Sequence, residues 1–151
     1  MSSTSSATTV AAPRARVMAV IADFAAYPQW VTAIRSAEVT ATGEDGRPSR
    51  VRFTLDAGVV KDSYVLIYDW DGDDGVRWRL AEPGSVITLM DGAYLLSADG
   101  AGTAVRYDLT VELRIPLPGI LKRKAEKAIT DAALRGLKAR AEEQSAGGGA
   151  T

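Results

Sequence analysis

The sequence predicts an α+β domain in which an antiparallel sheet of about seven strands covers one long C-terminal helix. Three observations lead to this prediction. Residues 13–24 carry apolar side chains at helical spacing, residues 33–115 alternate with a period of two, and residues 121–143 return to a helical pattern. Because short turns separate the alternating segments, consecutive strands are expected to pair antiparallel. The 151 residues are expected to form one domain around a single core.

Both ends of the chain are low in complexity. Residues 1–6 are expected to be flexible, and a first strand is predicted over residues 7–12, where the sequence alternates. Residues 144–151 contain the run Gly147-Gly148-Gly149 and are expected to be a disordered tail. The domain is therefore expected to span residues 7–143.

Two short helices are predicted after the first strand. Pro13 suits the first turn of a helix, because that position needs no backbone N–H donor. The first helix is predicted to end near Phe24, and Tyr27-Pro28 should break it, since a residue before proline avoids the α region. Trp30 and Ile34 suggest a second brief turn on the same core.

The alternating segments should place one face of the sheet on the core. The clearest strand is residues 103–115, and Lys61-Asp62 is expected to open another strand after a hairpin. The apolar face is unusually aromatic, while the opposite face is charged and should be wet. The aromatic residues predicted to share this face are Tyr64, Tyr68, Trp70, Trp78, Tyr94 and Tyr107.

The C-terminal helix carries an apolar stripe of mostly small side chains. A helix that covers a sheet ordinarily fills its inner face with larger residues. Either the helix and the sheet approach closely, or a space lies between them. The stripe comprises Leu121, Ala125, Ala128, Ile129, Ala132, Gly136 and Ala139.

The sequence contains neither histidine nor cysteine. A Ser-His-Asp or Cys-His relay therefore lacks its base or its nucleophile, and zinc, haem and iron–sulfur sites lack their usual ligands. No metal site and no cofactor are expected. An enzyme built on this chain would have to move protons with Asp, Glu, Lys, Arg or Tyr side chains.

Charge and hydropathy indicate which classes of partner, such as nucleic acid or membrane, the sequence favours or disfavours. The balance of 18 Lys+Arg against 19 Asp+Glu argues against a dedicated nucleic-acid binder. No apolar run approaches the roughly 18 residues that span a bilayer, and the first residues, Met1 to Ser6, do not resemble a signal peptide, so a cytoplasmic protein is expected. Oligomeric state is left open.

Local motifs resemble those of a known family. The segment Val10-Ala11-Ala12-Pro13 followed by Asp23-Phe24-Ala25-Ala26-Tyr27-Pro28-Gln29-Trp30 is similar to the opening of the polyketide cyclase/dehydrase family, within the START-like (SRPBCC) superfamily. Gly100-Ala101-Gly102-Thr103-Ala104-Val105 and Pro116-Leu117-Pro118-Gly119 resemble the family's approaches to its last strand and last helix. The resemblance implies a helix-grip (Bet v 1-like) fold, in which a curved sheet wraps around the C-terminal helix and leaves a cavity.

The resemblance implies that the cavity binds a hydrophobic small molecule such as a lipid, quinone or polyketide, and it leaves open whether the protein also transports that molecule. Buried tyrosines suit such a site because they combine apolar area with a hydroxyl that needs a partner. The alternative is that these aromatic residues simply fill the core. The expected ligand-binding residues are Tyr64, Tyr68, Trp70, Trp78, Tyr94, Tyr107, Leu121, Ala125, Ala128, Ile129 and Ala132.

Two other functions stay open at this point. A cyclase/dehydratase-type enzyme could fold a poly-β-keto chain in the same cavity, but the sequence offers no matched acid and base, so no catalytic residue is assigned. The basic run Lys122-Arg123-Lys124, continued by Lys127 on the final helix, could attract a membrane surface transiently or bind an acidic protein. A solvated helix face is the simpler explanation of that run.

Overall fold

Within the residues that the structure describes, seven antiparallel strands form one sheet, and a long helix packs against it. The computed structural model describes residues 3–31, 33–56, 61–114 and 118–149. The α+β class predicted from the sequence is confirmed. The elements are β1 (Ser3–Val10), α1 (Arg14–Ala22), α2 (Tyr27–Trp30), β2 (Ile34–Thr42), β3 (Pro48–Asp56), β4 (Lys61–Asp71), β5 (Gly75–Leu80), β6 (Ile87–Asp99), β7 (Gly102–Leu113) and α3 (Gly119–Gly149). The order of the strands across the sheet is β1-β7-β6-β5-β4-β3-β2.

Strand β1 begins earlier than the sequence predicts. It pairs with β7 from Ser3↔Thr110 to Val10↔Thr103, so residues 3–6 are strand instead of flexible chain; residues 1 and 2 lie outside the described residues. The Ser6 hydroxyl also donates to the Asp131 carboxylate of α3 at 2.9 Å. Polar serine and threonine residues remain extended here because β7 and α3 supply partners that lie more than 90 positions away in the sequence.

The first helix ends two residues before the predicted boundary. Helix α1 stops at Ala22, and Phe24–Ala26 form a 3-10 turn before α2 begins at Tyr27. Tyr27 adopts a helical φ of −52° although a proline follows it, and its hydroxyl donates to the carbonyl oxygen of Ile21. This tertiary hydrogen bond joins the two helices, and Pro28 sits in the first turn of α2, where its missing N–H costs nothing.

Helix α3 is rotated relative to the predicted stripe and is longer than predicted. Its buried face carries Leu134 and Leu137, whereas Ala128, Ala132 and Ala139 are exposed. The helix continues through residues 144–149, where a disordered tail was expected; residues 150 and 151 lie outside the described residues. Residues 115–117, between β7 and α3, lie outside them as well.

Gly136 sets how closely α3 approaches α2. A Cβ atom at this position would lie 2.5 Å from the carbonyl oxygen of Trp30, so only glycine allows the contact. At this end of α3 the helices therefore pack tightly. The space between α3 and the sheet lies toward the other end, near the first turns of α3.

Candidate functional site

A cavity of about 430 Å³ lies between the concave sheet face and the N-terminal half of α3. Its wall is mainly aromatic and aliphatic. Leu121 is 53% exposed and also belongs to the wall, so the cavity reaches the surface at the first turn of α3. The lining residues are Tyr27, Val31, Ala33, Ile34, Phe53, Leu55, Tyr64, Leu66, Tyr68, Trp78, Ile87, Met90, Tyr94, Tyr107, Leu109, Val111, Leu113, Leu121, Lys122, Glu126, Ile129 and Ala133.

Seven of the eleven residues predicted from the sequence line this cavity. They are Tyr64, Tyr68, Trp78, Tyr94, Tyr107, Leu121 and Ile129. Ala128 and Ala132 do not line it, because the rotation of α3 leaves both exposed, and Ala133 takes the inward position instead. The side chain of Ala125 lies outside the described part of the structure.

Trp70 also lies outside the cavity wall, although it shares a strand face with Tyr68. Near the end of β4, its indole Nε1 donates to the carbonyl oxygen of Pro48 at 2.7 Å. The Arg47 guanidinium lies 5.3 Å from the centre of the Trp70 ring, and the Phe24 ring lies 6.2 Å away. Through these contacts Trp70 packs against the core residues beneath the first helices, so its role is structural.

A cluster of aromatic rings forms the sheet side of the cavity, with Trp78 at its centre. The ring centroids of Tyr68, Tyr94 and Tyr107 lie 5.8, 5.4 and 5.6 Å from that of Trp78. Trp78 faces Gly92 across the β5–β6 pair, and a Cβ atom at Gly92 would lie 2.3 Å from its indole ring. The absence of a side chain at Gly92 therefore makes room for the indole.

Four lining tyrosines place polar hydroxyl groups on the otherwise mostly apolar wall of the cavity. Burial raises the pKa of Tyr64, Tyr68, Tyr94 and Tyr107, so all four keep their proton at neutral pH. Within the described ranges, none of these hydroxyls has a hydrogen-bond partner. They are therefore available to whatever fills the cavity.

Glu126 brings a carboxylate to the cavity wall that the sequence pattern did not predict. It is 3% exposed, and its Oε2 accepts the backbone N–H of Val111 at 3.3 Å. Val111 directly follows Thr110, the last residue of β7 that pairs with β1. Lys122, one turn earlier, also lines the cavity and pairs with Glu112 at 3.0 Å. Leu134 and Leu137 lie on the buried face of α3. These two large apolar side chains are the sequence signal from which the side of the helix that faces the sheet could have been predicted.

Asp62 anchors the segment that enters β6 beside the cavity. Its Oδ1 accepts the backbone N–H groups of Ser63 and Ser85 at 2.8 and 3.0 Å, and its Oδ2 accepts those of Val86 and Ile87 at 3.0 and 2.8 Å. Burial alone would raise the pKa of this carboxyl, but the four hydrogen bonds outweigh burial and lower it. The sequence suggested only the start of a strand at Asp62.

The depressed pKa of Asp62 predicts acid sensitivity. Because the folded-state pKa lies below the ordinary value of 3.8, the stabilisation is present above that value and is lost as pH falls through the folded pKa. Urea unfolding of the wild type and of Asp62→Asn should therefore differ most at neutral pH, and the difference should shrink below about pH 4. A difference independent of pH from neutral to strongly acidic solution would contradict this assignment.

The described residues offer neither a metal site nor a membrane span. Among them, no three Asp or Glu side chains stand close enough together to hold a metal ion. Within the same ranges, no helix is both long enough and apolar enough to cross a bilayer. A second depression, lined by residues of β1, β6 and β7 that include Thr8, Ser97 and Arg106, is more open and lacks the apolar enclosure of the first.

Comparisons with known proteins agree with this architecture. Residues 1–142 match the family described as polyketide cyclase / dehydrase and lipid transport. No curated protein matches the sequence. A START superfamily protein from Mycobacterium smegmatis is 24% identical, with a TM-score of 0.85 over 94% of this chain and 98% of that one.

Two further structures share the fold. TTHA0849 from Thermus thermophilus is 25% identical, with a TM-score of 0.79 over 95% of this chain and 99% of that one. The Zhui aromatase/cyclase from a Streptomyces species is 19% identical, with a TM-score of 0.74 over 95% of this chain and 94% of that one. The helix-grip architecture predicted from the motifs is thereby confirmed. The chain belongs to the polyketide cyclase / dehydrase and lipid transport family.

Proposed function

We propose that this protein binds a hydrophobic small molecule in the cavity between its sheet and α3. The observation that carries the proposal is the cavity itself: about 430 Å³, walled by aromatic and aliphatic side chains, with a few polar groups among them. This volume and this mixture are typical of small-molecule sites, which use apolar area for affinity and a few polar groups for orientation. The opening beside Leu121 supplies a route of entry.

Position 133 offers a direct test of where the ligand binds. Ala133 lines the cavity and is buried, whereas the adjacent Ala132 is exposed. We expect Ala133→Trp to weaken binding of N-phenyl-1-naphthylamine by at least about tenfold, because the indole occupies part of the space, whereas Ala132→Trp should bind like the wild type. The fluorescence of the bound amine reports both affinities.

Two controls keep this test interpretable. Circular dichroism and urea unfolding should show that both variants fold, and Ala133→Leu, a smaller change, should give an intermediate affinity. Native mass spectrometry of protein extracted under mild conditions would detect a ligand carried from the host. Equal affinity in Ala133→Trp and the wild type, or no binding by the wild type, would contradict the proposal.

A cyclase/dehydratase activity is the second candidate, and Glu126 is the observation that favours it. Its buried carboxylate lies on the cavity wall, where it could take a proton from the carbon between two carbonyl groups. A tyrosine hydroxyl such as that of Tyr107 could donate to the enolate oxygen that forms. Turnover of an aromatic 1,3-diketone precursor that disappears in Glu126→Gln, with probe binding retained, would favour the enzyme over the carrier.

A further inference from the structure

We infer that the first turns of α3 form a docking surface for anionic membranes. Ile120 and Leu121 enter the headgroup layer, and Arg123 and Lys124 pair with the phosphate groups of the lipids. This inference concerns the outer surface of the protein and goes beyond the proposed binding of a ligand in the cavity.

Two large apolar side chains are exposed side by side at the start of α3. In the described part of the chain, four such side chains are exposed, namely Val39, Leu95, Ile120 and Leu121. Ile120 and Leu121 are the most exposed of the four, at 78% and 53%, and they are neighbours in the sequence. Because the fold leaves both in water, a partner that removes them from water gains the free energy of burying this apolar area.

Basic side chains surround this apolar tip of the helix. Ile120, Arg123, Lys124 and Lys127 are all exposed, and they share one face of α3 because they follow the i, i+3, i+4, i+7 spacing of a helix. The Arg123 guanidinium lies 3.9 Å from the position that a Cβ atom of Gly119 would take, so its charge is next to the tip.

Two of these charges have no acidic partner. Among the described residues, no carboxylate lies within ion-pair distance of Arg123 or Lys124. Glu126 is the only acidic residue in the segment 118–128, and it is buried. The exposed face therefore presents positive charge around an apolar tip, and anionic headgroups are its complement. Each Lys or Arg close to an anionic membrane strengthens binding about fivefold.

The size and shape of this surface favour a membrane over a folded protein. A stable protein–protein interface buries about 800 Å² on each partner and depends on a central cluster of well-packed side chains. Here two apolar side chains project at the end of a helix, beside the opening of the cavity. A fluid headgroup layer accommodates such a projection, and the strength of binding grows with the inserted apolar area and with the basic charges beside it.

Co-sedimentation with lipid vesicles tests the inference. We would compare binding of the full chain to vesicles of phosphatidylcholine alone and to vesicles of phosphatidylcholine and phosphatidylglycerol in a two-to-one mixture. We expect at least about tenfold stronger binding to the anionic vesicles, and weaker binding as salt screens their charge. Arg123→Glu/Lys124→Glu should lose at least about tenfold in affinity for the anionic vesicles, and Ile120→Ser about fivefold.

Two control variants separate docking from net charge and from the cavity. Arg16→Glu/Arg50→Glu changes the net charge equally, at exposed arginines of α1 and β3, and should bind the anionic vesicles within about twofold of the wild type. Ala133→Trp, which fills part of the cavity, should bind the vesicles like the wild type, so docking and the proposed ligand binding are tested separately. Circular dichroism should show that every variant folds.

Several results would overturn the inference. It fails if the wild type binds neither kind of vesicle or binds both equally, and it fails if Arg123→Glu/Lys124→Glu binds the anionic vesicles as the wild type does. An equal loss in Arg16→Glu/Arg50→Glu would show that net charge, and not this surface, causes the binding. Salt-sensitive binding of poly-L-glutamate without vesicle binding would identify a contact for an acidic protein in place of a membrane.

Discussion

Replacing Asp62 with asparagine is expected to lower the free energy of unfolding by about 3 kcal/mol at neutral pH. Asparagine keeps one oxygen, which can still accept two backbone N–H groups. Its amide nitrogen, however, faces the other two, those of Val86 and Ile87, which Oδ2 accepts in the wild type. These two donors, one partly buried and one buried, lose their acceptor and meet another donor. Urea unfolding followed by circular dichroism measures the loss.

Asp69 provides the matched control for this variant. It lies on the same strand as Asp62, but its side chain is exposed. Asp69→Asn should change the free energy of unfolding by no more than about 0.5 kcal/mol. If the two variants are equally stable, the four hydrogen bonds to Asp62 do not stabilise the fold. Because Ile87 lines the cavity, we also expect Asp62→Asn to weaken binding of N-phenyl-1-naphthylamine.

Gly92→Ala is expected to lower the free energy of unfolding by about 2 kcal/mol, since the added methyl group overlaps the indole of Trp78 and forces it from its preferred position. The new methyl group would lie 2.3 Å from the indole of Trp78. That indole contacts Tyr68, Tyr94 and Tyr107, so a shift of the indole into the cavity disturbs its packing on these rings. Urea unfolding measures the cost, and near-ultraviolet circular dichroism should report the changed packing of the aromatic rings.

Gly119→Ala is the corresponding control. A Cβ atom at Gly119, in the first turn of α3, meets only the Arg123 guanidinium within 4 Å, at 3.9 Å. This variant should be as stable as the wild type or slightly more stable, because alanine favours helix. An unchanged near-ultraviolet spectrum in Gly92→Ala would contradict the close packing of Trp78 on Gly92.

The faces of the strands were predictable because alternation is a local property of the backbone. Successive side chains of a strand point to opposite sides, so Tyr64 and Tyr68 had to share a face, whatever packs on it. Trp70 follows the same alternation yet does not line the cavity. Its place near the strand's end, beside Arg47 and Phe24, depends on the neighbouring elements and not on its own segment.

The stripe of small residues did not predict which side of α3 faces the core. Alanine contributes little to an apolar face, so exposed Ala128 and Ala132 looked as suitable for burial as Ala133. The structure instead buries Glu126 and Thr130, both polar. Their burial depends on tertiary hydrogen bonds: Glu126 accepts the N–H of Val111, and the Thr130 and Ser6 hydroxyls lie 3.3 Å apart.

Local sequence specifies the α+β class, the order of the elements, the aromatic sheet face and, through its motifs, the family. These properties follow from periodicity and turn residues, which act over a few positions. The extension of β1 to Ser3, the anchoring role of Asp62 and the contact of the Glu126 carboxylate with Val111 emerge only when the chain is folded. Each depends on hydrogen bonds or close packing between segments far apart in the chain, whose partners a local pattern does not specify.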